Sequence, residues 1–351
     1  MLREDEVGGS LGTPNQVSPT RTAQPRLTTS TRNAQVKHDA ESLWGNSTSV
    51  SEFILLGFSS QPKTQLLLFL LFLTIYLVTL FGNSLLITLV GSDSRLHTPM
   101  YFFLANLSFL DISYTTTTVP QMLVHLLSTK KSISYGCCVA QMYIFLSLGI
   151  TECILYAVMA YDRYVAICHP LHYTIIMNGS VCVKMATSSW ACGFFFAMMH
   201  TGFTMHLPYC GPNEINHFFC EVPAILELAC ADIQVNELVD FVLGVILLMT
   251  PLSLILISYA FILAAILRIS SAEGKIKAFS TCTSHITVVT LFYGAAMFMY
   301  MRPASSYSPE RDKKFSLFYN VVSALLNPLI YSLRNKEVKG AVLKMMGRTD
   351  H

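Results

Sequence analysis

Seven long apolar runs, each with at most one formal charge, constrain this chain more than any other feature of its sequence. A helix needs about 20 mostly apolar residues to cross the hydrocarbon core of a bilayer. The runs are Thr64–Ser92, Thr98–Gln121, Tyr135–Tyr161, Met185–Pro208, Phe241–Leu267, Ala278–Met301 and Phe315–Leu333. They predict an all-α membrane protein, a bundle of seven transmembrane helices.

The composition supports a membrane protein and argues against a nucleic-acid partner. Hydrophobic residues make up 52% of the 351 residues and charged residues only 13%, whereas a soluble domain usually carries about 25% charged residues. The formal net charge is only +2, and no run of basic residues marks a nucleic-acid patch.

Lys and Arg in the short loops set the predicted orientation, because the richer side lies in the cytosol. That side carries Arg95, Arg163, Lys184, Arg268, Lys275, Lys277 and the basic tail 334–348. The loop 209–236 on the other side has neither residue. The N-terminus is therefore expected outside. We divide the chain into an outer tail at 1–62, with 1–40 expected to be disordered, a bundle at 63–335 and a cytoplasmic tail at 336–351.

Cysteines and a glycosylation triplet agree with this orientation. Disulfides persist on the outer side of a membrane, and five cysteines fall there: Cys137, Cys138, Cys210, Cys220 and Cys230. Five allow two bridges, and their spacing does not pair them. Cys153, Cys168, Cys182, Cys192 and Cys282 are expected to be small buried apolar residues. Asn46 begins an Asn-Ser-Thr acceptor for glycosylation.

Several motifs in the predicted spans resemble those of the rhodopsin-like G-protein-coupled receptors. They are Gly82-Asn83, Asp111, Asp162-Arg163-Tyr164, Trp190 and "NPLIY" at 327–331. Longer strings resemble the olfactory receptor branch: "LHTPMYFFLANLSFLD" (96–111), "MAYDRYVAICHPLHY" (159–173), "KAFSTCTSH" (277–285) and "PLIYSLRN" (328–335). The resemblance covers residues 44–347. Members of the family usually begin near Trp44, so the segment before it is an extension relative to them.

The resemblance implies an odorant receptor that binds small, hydrophobic, uncharged molecules and activates a stimulatory G protein to raise cAMP. It further implies the plasma membrane of olfactory cilia as location, and an odorant, the G protein α subunit and membrane lipid as partners. Phe145, not an Asp, occupies the inward site one turn above Leu146–Gly149, which argues against an amine ligand.

Other functions have less support in the sequence. A non-olfactory chemosensory receptor is the main alternative, because fold does not decide ligand or tissue. A membrane transporter is the second, supported by the acids at Asp111 and Glu152. A retinal protein needs a lysine in span seven, and Phe315–Leu333 contains none. No combination of nucleophile, base and orienting acid predicts an enzyme.

The predicted ligand pocket lies between spans three, five, six and seven, in their outer half. Counting back from Arg163 at helical spacing gives the inward face of span three. The full predicted set is Met142, Phe145, Leu146, Gly149, Ile150, Leu243, Leu247, Tyr293, Met297, Tyr300 and Asn320. These side chains are apolar with a few hydroxyl or amide groups, as is usual for small-molecule sites.

Asp111 and Glu152 are single acids about halfway along spans two and three. Ionisable groups inside a membrane are costly and usually functional. By resemblance the two acids face each other, and two carboxylates repel unless a cation or a shared proton lies between them. We therefore predict a sodium or proton site with Asn83 and Asn327 nearby. The alternative is a static polar network that fixes helix packing. No other cofactor is expected.

The resemblance also implies a cytosolic switch and two disulfides. Asp162 would pair with Arg163 at rest, and Arg163 would contact the G protein when span six moves out. The switch set is Asp162, Arg163, Tyr164, Tyr259, Lys277, His285, Asn327, Pro328 and Tyr331. The implied disulfides are Cys138–Cys220 and Cys210–Cys230. Separately, Val338, Val342 and Met345 recur at i, i+4 and i+7, which predicts a short amphipathic C-terminal helix.

Overall fold

The computed structural model describes residues 50–58, 61–210, 213–301, 308–333 and 336–346. Its long helices are α1 Pro62–Ser92, α2 Pro99–Leu127, α3 Tyr135–Cys168, α4 Gly179–Met205, α5 Gln234–Arg268 and α6 Ala272–Tyr300. A seventh, α7, runs through Pro309–Leu317, the π-helical segment Phe318–Val322 and Ser323–Leu333. The short helix α8 is Lys336–Met345. Two further short helices, Tyr173–Ile176 and Val222–Leu226, lie in loops.

The helices form a bundle around α3, whose apolar window is 72% buried. Five helices of the described chain, α1, α3, α4, α5 and α6, are each long and apolar enough to cross a membrane. The apolar windows of α1 and α5 are only 11% and 17% buried, so most of their apolar side chains face outward. α2 packs on α1 and α3, and α7 packs on α1, α2 and α6.

The helices extend beyond the charge-free windows of the sequence. α5 begins at Gln234 rather than Phe241, and α4 begins at Gly179 rather than Met185. Asn178 caps α4 by accepting the backbone N–H of Val181 at 3.1 Å, as Asn commonly does at this position. Polar residues extend each of these helices beyond the apolar window by which it was predicted. The predicted helix ends were therefore wrong by up to two turns.

A small three-stranded sheet covers one end of the bundle, which we call the outer end. β1 Glu52–Leu55 is its central strand, antiparallel to β2 Ser132–Ser134 and parallel to β3 Glu214–Ile215. Phe53 and Leu55 point inward and are almost fully buried, at 0% and 1% exposure. Residues 52–55 therefore form part of the folded cap, although the sequence placed them in the outer tail.

Both disulfide pairings are confirmed at the outer end. Cys138 at the start of α3 joins Cys220, and Cys210 joins Cys230, with Cα atoms 5.5 Å and 5.9 Å apart. Cys137 stays free and exposed. Of the remaining cysteines, Cys153, Cys182 and Cys282 are buried. The expectation of burial was wrong for Cys192, which is exposed, and Cys168 is only partly buried.

The predicted C-terminal helix is present as α8. Its inward residues Val338 and Ala341 are 1% and 2% exposed, whereas Met345 is 53% exposed. The hydroxyl of Tyr101 in α2 donates to Glu337 at 2.7 Å. α8 is therefore held against the inner end of α2.

Candidate functional site

A cavity of about 650 Å³ lies in the outer half of the bundle, between α3, α5, α6, α7 and the loop helix Val222–Leu226. One wall is aromatic and apolar, with Tyr114, Phe145, Phe292, Met299 and Tyr319 among its residues. Small-molecule sites are typically apolar cavities of this size range with a few convergent polar groups. The geometry therefore suits a small hydrophobic ligand.

Six residues of the predicted ligand set line this cavity. They are Phe145, Leu146, Gly149, Ile150, Leu247 and Tyr300. Phe145 is at the centre of an aromatic cluster, with its ring centroid 4.6 Å from those of both Tyr114 and Phe219. The helical spacing on α3 thus identified a continuous inward stripe from Phe145 to Ile150, because α3 is central and most of its apolar window is buried.

Five residues of the predicted set do not line the cavity. Tyr293 donates to the carbonyl of Cys153 at 3.1 Å, and Asn320 donates to Thr118 Oγ1 at 2.9 Å. Met142 is buried in the cluster beneath the outer loop. Leu243 and Met297 are half-buried outside the cavity lining. Periodicity identifies an inward face but does not separate cavity-lining residues from those that bond neighbouring helices.

The outer loop is fastened to α6 and α7 through Glu221, a residue that the sequence analysis missed. Its carboxylate accepts hydrogen bonds from Tyr300 at 2.9 Å, Tyr319 at 2.5 Å and Ser316 at 2.8 Å. Burial raises the pKa of Glu221, and these three hydroxyl donors oppose the rise. The sequence feature that could have pointed to Glu221 is an acid directly after Cys220 in the outer loop. Because Tyr300 and Tyr319 also line the cavity, Glu221 links the outer loop, which we call the lid, to the cavity wall.

His217 lies beneath the same lid and is held neutral. Burial lowers its pKa to about 3, and the positive charge of Lys313 adds to the effect. Its Nε2 lies 3.4 Å from the Glu221 carboxylate, but a neutral imidazole makes this contact a polar one rather than an ion pair. The side chain packs against the rings of both Phe218 and Phe219.

The two midspan acids meet in a buried polar cluster. Asp111 and Glu152 are each 2% exposed, and their carboxylates interact electrostatically. Asn327 donates to both oxygens of Asp111, at 3.0 and 3.1 Å. Tyr156, which the sequence analysis missed, donates to Glu152 at 2.7 Å. The structure thus brings Asp111, Glu152 and Asn327 together through Tyr156.

The side-chain amide of Asn83 bonds backbone carbonyls of its own helix and of α7. Its amide donates to the carbonyls of Thr79 and Ala324, at 3.0 and 3.2 Å. Its Oδ1 is buried with no hydrogen-bond partner in the described chain. Oxygen donors of this kind, carboxylate and amide, suit a hard cation. A cluster of three or more His, Cys, Asp or Glu that could hold a metal is not found among the described residues.

At the inner end of α3, Asp162 and Arg163 do not pair with each other. Asp162 accepts the hydroxyl of Tyr173 at 2.7 Å, and Arg163 contacts the sulfur of Met100. Adjacent residues of a helix point in different directions, so the expected resting ion pair is replaced by contacts to the next loop and to α2. Arg163 remains 8% exposed.

The other predicted switch residues lie between the middle of the bundle and its inner end. Tyr259 Oη and His285 Nδ1 are 2.8 Å apart, and His285 Nε2 lies 3.1 Å from the carbonyl of Tyr156. Tyr164 bonds His169 at 3.1 Å. Tyr331 is buried, and its hydroxyl has no partner in the part of the chain that is described. Pro328 packs near Gly82. The side chain of Lys277 and the whole of Asn46 lie outside the described residues.

Comparison with known proteins gives a consistent result. Residues 72–349 match the family model described as "Olfactory receptor". The chain is 54% identical to human "Olfactory receptor 2B2" over 306 residues, covering 87% of this chain and 86% of the relative. It is 54% identical to human "Olfactory receptor 2A1/2A42", covering 87% and 99%. It is 53% identical to mouse "Olfactory receptor 2B6" over 305 residues, covering 87% and 97%.

Proposed function

This chain belongs to the olfactory receptor family, a family of G-protein-coupled receptors and not of enzymes. From this membership we propose that it binds small, hydrophobic, uncharged odorants in the cavity between α3, α5, α6 and α7. The observation that carries the proposal is the aromatic and apolar wall around Phe145 in a cavity of about 650 Å³. Such a wall favours hydrocarbon groups because it removes them from water.

The proposed readout of binding is movement of α6 relative to α3. Tyr300 of α6 lines the cavity and bonds the lid through Glu221, while His285, in the middle of the same helix, bonds Tyr259 and the Tyr156 carbonyl. A ligand can shift such a two-state bundle only if it binds one state better. An odorant that displaces Tyr300 would therefore loosen the His285 contacts with α3 and α5. The resulting movement of α6 would expose Arg163 to the G protein.

The proposed G protein is of the stimulatory, olfactory type, which raises cAMP. The proposed location of this multi-pass membrane protein is the plasma membrane of olfactory cilia. A non-olfactory chemosensory receptor remains the alternative, and antibody labelling of olfactory epithelium against other tissues would distinguish the two.

The proposed role of the midspan acids is a sodium or proton site. Asp111, Glu152 and Asn327 would hold the ion, and Asn83 offers its Oδ1 from the neighbouring helix. A bound cation would neutralise two carboxylates that otherwise repel. The rival role is a fixed polar network, for which the Tyr156 and Asn327 hydrogen bonds are sufficient.

The experiment that tests the receptor function measures odorant-dependent cAMP in transfected cells, in parallel with uptake of the same radiolabelled compounds. We expect cAMP to rise with an agonist and no uptake above untransfected cells. Phe145→Ala should change the potency of agonists, since it removes the central aromatic ring. Uptake without a cAMP response would instead support the transporter, and unaltered potencies in Phe145→Ala would reject this pocket.

A further inference from the structure

His200 of α4 and Asp240 of α5 face each other in the wall of the ligand cavity. His200 Nε2 lies 3.0 Å from Asp240 Oδ1, and the two side chains are only 12% and 17% exposed. Both residues line the cavity. This pair of ionisable groups has no part in the lid, the midspan acid cluster or the inner switch described above.

The position of Asp240 is fixed by the residue one turn before it. Asn236 is buried and donates its side-chain amide to the carbonyl of Phe203 in α4, at 3.3 Å. Residues four apart lie on the same face of a helix. Asp240 is therefore directed toward α4 by the same contact that joins the outer ends of α4 and α5.

Some atoms of the pair lack hydrogen-bond donors, and all of these atoms can be acceptors. Oδ2 of Asp240 and Nδ1 of His200 are buried without a hydrogen-bond partner among the described residues, and the only contact of Oδ1 there is the one with His200 Nε2. If the imidazole is neutral with its proton on Nε2, facing the carboxylate, the remaining groups are all acceptors. A buried acceptor without a donor is costly, and such groups call for a missing partner.

The surroundings decide which partner fits. Glu227 and Glu237 also line the cavity, and its described lining contains no Lys or Arg. This side of the cavity therefore repels anions, whereas the opposite wall around Phe145 and Phe292 is aromatic. A ligand that spans both walls needs a hydrogen-bond donor at one end and hydrocarbon at the other.

We propose that the His200–Asp240 pair is the polar subsite of the cavity and accepts a hydrogen bond from the hydroxyl group of a neutral odorant. The inference rests on the proposed function and narrows its ligand class to alcohols and phenols, with carboxylates excluded. His200 covers the carboxylate, so the hydroxyl reaches Asp240 when the imidazole rotates aside, a common kind of change on binding. Because His200 already faces the carboxylate of Asp240, a neutral hydroxyl donor on the ligand is sufficient. The ligand does not need to carry a positive charge.

The test uses isomeric pairs in which one member carries a hydroxyl donor and the other an ether oxygen that can only accept. Benzyl alcohol is compared with anisole, and cyclohexylmethanol with cyclohexyl methyl ether, with benzoate and cyclohexanecarboxylate as anions. Each is applied to cells that express the full chain, and cAMP is recorded against concentration. We expect each alcohol to exceed its isomeric ether in potency by about tenfold or more, as a hydrogen bond to a charged group gives, and the anions to be inactive.

Asp240→Asn should reduce the advantage of alcohol over ether to about threefold or less, because the amide donates as well as accepts. The matched control is Asp232→Asn, at an exposed acid outside the cavity lining, which should keep the full advantage. His200→Gln is a second test variant and should also reduce the potency advantage of alcohol over ether. The alcohol-to-ether ratio is taken within one variant, so expression level does not affect it.

Ethers as potent as alcohols in the unaltered chain would overturn the subsite, and so would an unchanged ratio in Asp240→Asn. Either result would leave the odorant response itself intact. If no member of a broad odorant panel that includes these pairs raised cAMP above untransfected cells, the proposed receptor function would fail, and the subsite with it.

Discussion

Asn327 of α7 donates its side-chain amide to both carboxylate oxygens of Asp111 on α2, at 3.0 and 3.1 Å. The same amide lies 3.4 Å from the hydroxyl of Tyr156 on α3, which donates to Glu152. Three helices therefore meet at a cluster that contains two acids, both 2% exposed. Any ion or proton that stabilises this cluster also stabilises the packing of α2, α3 and α7 against one another.

Replacing either acid should remove the response of the receptor to sodium. We expect sodium to lower agonist potency by about fivefold or more in the unaltered chain, because it favours the packed state. Asp111→Asn and Glu152→Gln should each abolish this shift. The measurement is the cAMP dose response with extracellular sodium present or replaced by an organic cation. Ser113→Ala, in the same helix, is the control; a sodium shift that persists in both acid variants would favour a static network.

Gly193→Ala should disrupt the contact of α4 with α3. A Cβ atom at this position would collide with Thr151 Oγ1 and lie 2.6 Å from the carbonyl of Ser147. Overpacking of this kind costs about 1–3 kcal/mol, so thermal stability in detergent and surface expression should both fall. Gly202→Ala in the same helix meets nothing within 4 Å and should leave both unchanged. Equal behaviour of the two variants would contradict the close approach.

Cys138→Ser should destabilise the outer end, whereas Cys137→Ser should not. Cys138 joins α3 to the lid through Cys220, and its neighbour Cys137 is free and exposed. Loss of a native disulfide costs about 2–5 kcal/mol in small secreted domains. Surface expression measured by flow cytometry should therefore fall for the first variant only. Normal expression and signalling of Cys138→Ser would count against the bridge.

The neutral His217 should make the receptor sensitive to acid. Its pKa is lowered from 6.5 to about 3, so below pH 6.5 the unfolded chain binds a proton that the folded chain does not. Stability contributed by this group therefore falls as the pH falls from 6.5 toward 3, by about 1.5 kcal/mol near pH 5. Glu221, whose pKa is raised, acts in the opposite direction.

The His217 contribution can be isolated with His217→Phe, because Glu221 is present in both proteins. Thermal unfolding in detergent across this pH range should show that the variant loses less stability on acidification than the unaltered chain. Identical pH dependence of the two proteins would mean that His217 is not held neutral in the folded state.

The sequence predicted those features that repeat along a helix or depend on a family motif. The inward stripe from Phe145 to Ile150 lines the cavity as the spacing on α3 indicated. Both disulfides were implied by resemblance. These features were accessible because the helical spacing on the central helix α3 marks one inward face, and because the family motifs imply which cysteines pair.

The sequence did not predict contacts between distant segments. The strand Glu52–Leu55 pairs with residues 132–134 and 214–215, and no local pattern links these three stretches. Tyr156 is one turn after Glu152 in the sequence, but only the packing of α3 and α7 brings its hydroxyl within 3.4 Å of the Asn327 amide. Asp240 and His200 are separated by a loop and two helix ends, so only the packing of α4 and α5 shows that they meet.

The most direct test of the account is the agonist-evoked cAMP response of Arg163→Ala, compared at matched surface expression with the unaltered chain. Arg163 lies at the inner end of the helix that lines the ligand cavity at Phe145, so one helix connects ligand to G protein. Lys184→Ala, at an exposed residue near the inner end of α4, is the control and should respond normally. Arg163→Ala should reach the surface but lose the cAMP response; an undiminished response would contradict the connection from ligand to G protein through α3.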